Sequence, residues 1–132
     1  LNTENDTRAL GLRLADAAEP GDIIALIGDL GTGKTALTGY IAEGLGISAK
    51  VNSPTFNIVK EYRGGRLPLF HFDVYRLSSG EELMDVGAED YLEGDGLSVI
   101  EWADIVADVL PEDALVIILE YGEGDSRTAE VL

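Results

Sequence analysis

Apolar residues recur along this chain with two periods, and each change of period marks a new element. Leu10, Leu14 and Ala17 fall at helical spacing behind Asp6 and Thr7, either of which can cap a helix running to about Ala18. Pro20-Gly21 stops that helix and turns the chain into Ile23-Ile24-Ala25-Leu26-Ile27, a continuous apolar run that reads as a buried strand ending at Gly28. A second helix covers Ala36 to Leu45, with Gly46 as its C-terminal cap. Val51 to Phe56 is polar around Pro54 and reads as a loop leading into a strand. Phe56 to Arg63 and Leu67 to Arg76 then flank Gly64-Gly65-Arg66, a hairpin signal. Ser78 or Ser79 caps a short helix over Gly80 to Asp85, whose early acids Glu81 and Glu82 suit a helix start. Ala88 to Leu92 is another short turn, and Leu97 to Trp102 is a short apolar strand ending in an acid. A helix from Ala103 to Leu110 stops at Pro111, Ala114 to Tyr121 is a long apolar-centred strand, and Arg127 to Leu132 can begin one more. Strands alternating with helices predict an α/β fold in one domain spanning 1–132, its mostly parallel sheet flanked by helices and carrying an antiparallel hairpin at an edge.

Charge narrows the class of partner. The formal charge is −16, from 25 acidic residues against nine Lys and Arg, so the average surface repels polyanions. Autonomous nucleic-acid binding needs a basic footprint that is missing here. Cysteine is absent, which excludes disulfides and thiolate chemistry and fits a reducing, cytoplasmic setting. No apolar run approaches the ~20 residues of a membrane span, and no basic segment followed by a hydrophobic stretch opens the chain, so no membrane partner or targeting segment is expected.

The chemistry concentrates in Gly28-Asp29-Leu30-Gly31-Thr32-Gly33-Lys34-Thr35, which matches every fixed position of G-x-x-x-x-G-K-[ST] between a predicted strand and a predicted helix. That setting makes the predicted sheet P-loop NTPase-like. Backbone N–H groups converge on an anion only where side chains do not intervene, and the three glycines permit such a path. Lys34 is placed to reach the β- and γ-phosphates, and the Thr35 hydroxyl to supply one oxygen to an octahedral Mg²⁺. The candidate nucleotide contacts run from Gly28 through Asp29, Leu30, Gly31, Thr32, Gly33, Lys34 and Thr35 to Ala36.

Further along, the hydroxyls of Ser53 and Thr55 either face the nucleotide or satisfy turn backbone. In Phe70-His71-Phe72-Asp73-Val74-Tyr75, strand alternation sends Phe70, Phe72 and Val74 to one face and His71, Asp73 and Tyr75 to the other. The polar row is either a solvent-facing face or part of a site. In a site, Asp73 would orient a metal-bound or attacking water, His71 would donate to a phosphate or lock Asp73, and Arg76 would pair with an acid or an anion. Glu101 closes a strand where open α/β sheets bind ligands, within reach of Mg²⁺; alternatively it is an acid at a helix start. Trp102 is either core or a brace for Glu101, and Asp104 and Asp108 read as a solvated helix face.

These motifs, in order Gly28 to Thr35, Ser53-Pro54-Thr55-Phe56, His71-Phe72-Asp73-Val74-Tyr75-Arg76 and Ile100-Glu101-Trp102, together resemble the TsaE family. Its members are small bacterial P-loop ATPases, formerly called YjeE, that serve tRNA threonylcarbamoyladenosine (t6A) synthesis. The resemblance runs from about Thr7 to Arg127. It implies binding and hydrolysis of ATP with Mg²⁺, weak for the chain alone, and association with a TsaB–TsaD heterodimer that modifies adenosine 37 of ANN-decoding tRNAs. The tRNA would be met only through that complex, which ATP turnover resets between cycles. By motif, the resemblance gives Lys34 the phosphates, Thr35 and Glu101 the Mg²⁺ with Asp73 beside it, and Asp73 the role of catalytic acid. It places Thr55 in a switch-like loop near the γ-phosphate, and Trp102 follows the metal acid. Thr32 stands where the family loop usually has Ala, Ala103-Asp104 replaces the usual Pro-Glu, and the end at Leu132 is short. Other readings of the same loop are a nucleotide-dependent switch and a small-molecule kinase. The kinase reading lacks the arginine-bearing lid such enzymes use, since no arginine lies between Gly80 and Gly96. A guanine-specific GTPase would need an N-K-x-D motif, which the chain does not contain.

Overall fold

The computed structural model describes residues 4–28, 33–48, 50–52, 58–75, 77–85, 87–92, 94–121 and 127–131. In chain order the helices are α1 (Glu4–Ala17), α2 (Lys34–Gly44), α3 (Gly80–Asp85) and α4 (Ala88–Leu92), with a 3-10 helix at Ala103–Val109. The strands are β1 (Ile23–Gly28), β2 (Val59–Tyr62), β3 (Leu69–Asp73), β4 (Leu97–Glu101), β5 (Leu115–Tyr121) and β6 (Arg127–Val131).

All six strands form one sheet in the order β2-β3-β4-β1-β5-β6. The inner four, β3, β4, β1 and β5, run parallel, while β2 and β6 pair antiparallel at the two edges. The expected hairpin is the β2–β3 pair, in which Val59 faces Phe72 and Tyr62 faces Leu69. Its arms are shorter than the sequence pattern suggests, and β6 adds a second antiparallel pair at the far edge.

Each face of the sheet carries its own apolar layer. On one, Ile24 and Leu26 of β1, Leu69 of β3, Leu97 and Val99 of β4, and Ile117 and Leu119 of β5 pack under α1 and α2. On the other, Ile23, Ala25, Phe70, Phe72 and Ile100 pack under Leu83 of α3, Leu92 of α4 and Val106 of the 3-10 helix. Parallel strands covered on both faces read as continuous apolar runs, which is why β1 and β5 show no alternation. The same double covering removes the solvent-facing reading for His71, because β3 lies second from the edge and His71 is completely buried, while exposure grows along the row through half-buried Asp73 to exposed Tyr75.

Two local details differ from the sequence pattern. Helix α1 starts at Glu4 and passes through Asp6 and Thr7, so neither of these is its cap; Asp6 instead adds an acid to the first turn, where the helix end is positive. At the start of α3 the Gly80 N–H donates to Asp108 Oδ1 at 3.2 Å, which gives Asp108 a structural role beyond a solvated face. Among the described residues, no helix is long and apolar enough to cross a membrane.

Candidate functional site

The carboxyl ends of β1, β4 and β3 lie side by side at the amino end of α2. Leu26 of β1 is level with Glu101 of β4, and Glu101 with Asp73 of β3. This end of an open α/β sheet is where ligands bind, because the loops there leave a crevice.

Gly33 brings the chain into α2 with φ +97, a left-handed conformation that glycine adopts without a Cβ clash. The helix then opens with Lys34, whose side chain is almost entirely buried despite its charge. Its ammonium donates to the Gly28 carbonyl at the end of β1 and sits 3.9 Å from the centre of the Trp102 ring. A cation over an indole face is attracted to the ring's negative quadrupole, so Trp102 covers the lysine as well as flanking Glu101. Thr38, one turn on, donates its hydroxyl to the Lys34 carbonyl at 2.9 Å.

Thr35 points at β4. Its Oγ1 lies 3.0 Å and 3.1 Å from the two carboxylate oxygens of Glu101 and donates to one of them. Glu101 is only 3% exposed, and a buried carboxylate is costly unless its oxygens are satisfied. Its second partner is His71, whose Nε2 meets Glu101 Oε2. The register explains the contact: His71 is level with Val99, so Glu101 lies two residues further along on the same face of the sheet. The option that His71 locks Asp73 is therefore corrected, because the ring turns across to β4 instead.

Asp73 is half-buried at the end of β3, and its Oδ1 accepts the Tyr75 N–H at 3.1 Å. The Val74 N–H donates to the Glu101 carbonyl at 3.3 Å, tying the two strand ends together. Trp102 turns the chain out of β4 with φ 63 and ψ 35, and it is the one non-glycine residue at positive φ among the described residues. A bulky residue held there stores about 1–3 kcal/mol of backbone strain, and such residues cluster at functional sites. Tyr75, an exposed side chain, lies against it with ring centres 4.8 Å apart at 48°. Strand alternation puts Tyr75 on the His71–Asp73 face without assigning it a role; the Tyr75–Trp102–Lys34 stack depends on the register of β3 against β4. Ala36 is exposed in the first turn of α2 and, with Gly39, Tyr40 and Lys50, lines an open groove beside Thr35.

Of the other residues expected in the site, Asp29, Leu30, Gly31, Thr32 and Thr55 lie outside the described residues, as do Ser53 and Arg76. Lys34, Thr35, Glu101, His71 and Trp102 come together, and Asp73 stands level with Glu101 on the next strand. The donor set fits Mg²⁺: a hydroxyl and a carboxylate are hard oxygen ligands, they meet within 3.1 Å, and Mg²⁺ commonly takes only one or two protein oxygens beside phosphate and water. No cluster of three or more His, Asp or Glu placed to hold a metal by themselves occurs among the described residues.

Comparison with known proteins converges on one family. Residues 1–129 match the family described as TsaE, threonylcarbamoyl adenosine biosynthesis protein. The chain is 46% identical over 122 residues to the tRNA threonylcarbamoyladenosine biosynthesis protein TsaE of Bacillus subtilis, covering 92% of this chain and 76% of that one. It is 43% identical over 126 residues to the protein of the same name from Treponema pallidum, covering 96% and 93%. A crystal structure of Bacillus subtilis YdiB has the same fold, with a TM-score of 0.86 at 38% identity, covering 99% of this chain and 80% of that one.

Proposed function

The chain belongs to the TsaE family of threonylcarbamoyladenosine biosynthesis, and from that premise we propose that it is a Mg²⁺-dependent ATPase serving t6A formation on tRNA. The observation that carries this reading is the meeting of the Thr35 hydroxyl, one residue after the buried lysine that opens α2, with both oxygens of Glu101 at the end of the central strand β4.

In the proposed mechanism Lys34 exchanges the Gly28 carbonyl for phosphate oxygens, its charge offsetting theirs. Thr35 and Glu101 would hold Mg²⁺, which when bound would supply positive charge to offset that of the phosphates during transfer. Asp73 stands level with Glu101 with one oxygen fixed by the Tyr75 N–H, leaving the other to orient the attacking water. Trp102 and Tyr75 form the aromatic wall over Lys34 and exclude water from its charge. The acidic surface suits docking on protein, so the proposed partner is a TsaB–TsaD heterodimer in the cytoplasm, with tRNA met only through that complex, which ATP turnover would reset.

Phosphate release from ATP, measured with the purified chain alone and with the TsaB–TsaD pair and tRNA, tests the reading. Slow release that rises with partners and vanishes without Mg²⁺ is expected. Tight ATP binding with no release in any mixture would make the protein a nucleotide-dependent switch instead.

A further inference from the structure

We infer that His71 is the positioning residue of the Glu101 carboxylate, holding it by an Nε2–H donor so that it stays turned toward Thr35; this rests on the Mg²⁺ role proposed above for Glu101. His71 is fully buried in β3, on the same face as Leu69. Packing alone does not call for an imidazole there, since that layer is otherwise apolar, aliphatic but for Tyr62. A carboxylate only accepts, so the contact between His71 Nε2 and Glu101 Oε2 makes Nε2 the donor. The other ring nitrogen, Nδ1, has no hydrogen-bond partner among the described residues, so the ring's described bonding goes to Glu101 alone.

Without that donor, one Glu101 oxygen would be buried with no partner of its own, and the side chain would be free to turn away from Thr35. A group that orients a metal ligand in this manner acts on metal affinity rather than on nucleotide contacts, typically by 10–100-fold. His71 would thus set how much Mg²⁺ the site needs, without itself touching metal or phosphate.

The test uses His71→Leu, which removes the donor, and His71→Gln, whose side-chain amide restores one near the position of Nε2. Trp102, the single tryptophan of the chain, is the fluorescence reporter over Lys34. With a non-hydrolysable ATP analogue present, His71→Leu is expected to need about 10–100-fold more Mg²⁺ for the half-maximal response, and His71→Gln to return within about threefold of the parent. Analogue binding in EDTA should be equal in all three. An unchanged Mg²⁺ midpoint in His71→Leu, or equal impairment in both variants, would overturn the inference. Should the variants fail to fold, nitrogen NMR of the parent's imidazole without nucleotide still decides: a proton on Nε2 is expected, and an Nδ1–H tautomer would refute it. A parent that shows no Mg²⁺ response argues against the nucleotide role, and the ring spectrum then judges the contact by itself.

Discussion

Lys34 and Glu101 are buried charges with different described neighbours: a carbonyl and an indole face for the lysine, a hydroxyl and an imidazole for the acid. Their separate roles make separable predictions. Lys34→Ala should weaken ATP binding by about 10–100-fold, the scale of losing a charge-assisted contact of some 1.5–3 kcal/mol; calorimetry showing unchanged affinity would remove Lys34 from the phosphates. Asp73→Ala should bind ATP as the parent does and turn it over about 100-fold more slowly, as for loss of a general base. Equal single-turnover rates in the two proteins would take Asp73 out of the mechanism. At this scale the sequence was most informative about residue types and least about contacts. The G-x-x-x-x-G-K-[ST] spacing and the acid at the end of β4 were visible, whereas the partner of His71 depended on which strand lies beside β3, and no local pattern encodes that.

Helix α1 rests on α2 at a distance set by glycine. A Cβ on Gly11 would stand 2.6 Å from the Tyr40 Cβ and 3.1 Å from the Ile41 nitrogen, so the two helices touch backbone to backbone. Gly11→Val should therefore lower stability by about 1–3 kcal/mol, read as a lower denaturation midpoint, and an unchanged midpoint would mean that the helices separate at no cost. The same pair is clamped by Arg8, whose Nη2 lies 2.6 Å from Glu43 Oε1 with both side chains about half exposed. The hydrogen bond and charge of Arg8 hold the Glu43 carboxyl below the usual carboxylate range, and Glu43 in turn raises the Arg8 guanidinium. A depressed carboxylate stabilises the fold above its unfolded value and loses that contribution as pH falls through its folded one. The parent should thus lose more stability than Arg8→Ala between neutral pH and the acid side of the carboxylate range, with salt shrinking the difference. Parallel pH–stability curves for the two proteins would show that the pair contributes nothing. Of the elements, the apolar run of β1 was legible because burial on both faces leaves no ambiguity. The β3 row was ambiguous because alternation looks the same whether its polar face meets water or a second layer holding one histidine.

Across the whole molecule, 25 acids against nine bases press the folded chain outward, and that repulsion is screened by salt. Its thermal midpoint should rise as NaCl is raised from about 10 mM, where the screening length is ~30 Å, to about 150 mM, where it is ~8 Å; a flat or falling midpoint would contradict this. The order β2-β3-β4-β1-β5-β6 brings Gly28, Asp73 and Glu101 to one end of the sheet although Asp73 and Glu101 follow the loop by tens of residues. The sequence pointed to this convergence through its strand-end acids and through the family resemblance, but the pairing of β3 with β4 is a long-range property that only the assembled sheet displays. The proposed service of one Mg²⁺–nucleotide by Thr35 and Glu101 is tested most directly by Mg²⁺-dependent phosphate release from ATP, with the proposed partner complex present, by the parent and by Glu101→Ala. Release by the parent, with the Mg²⁺ requirement of Glu101→Ala raised by about tenfold or more, is the predicted result. A Glu101→Ala protein with the parent's Mg²⁺ titration would contradict it.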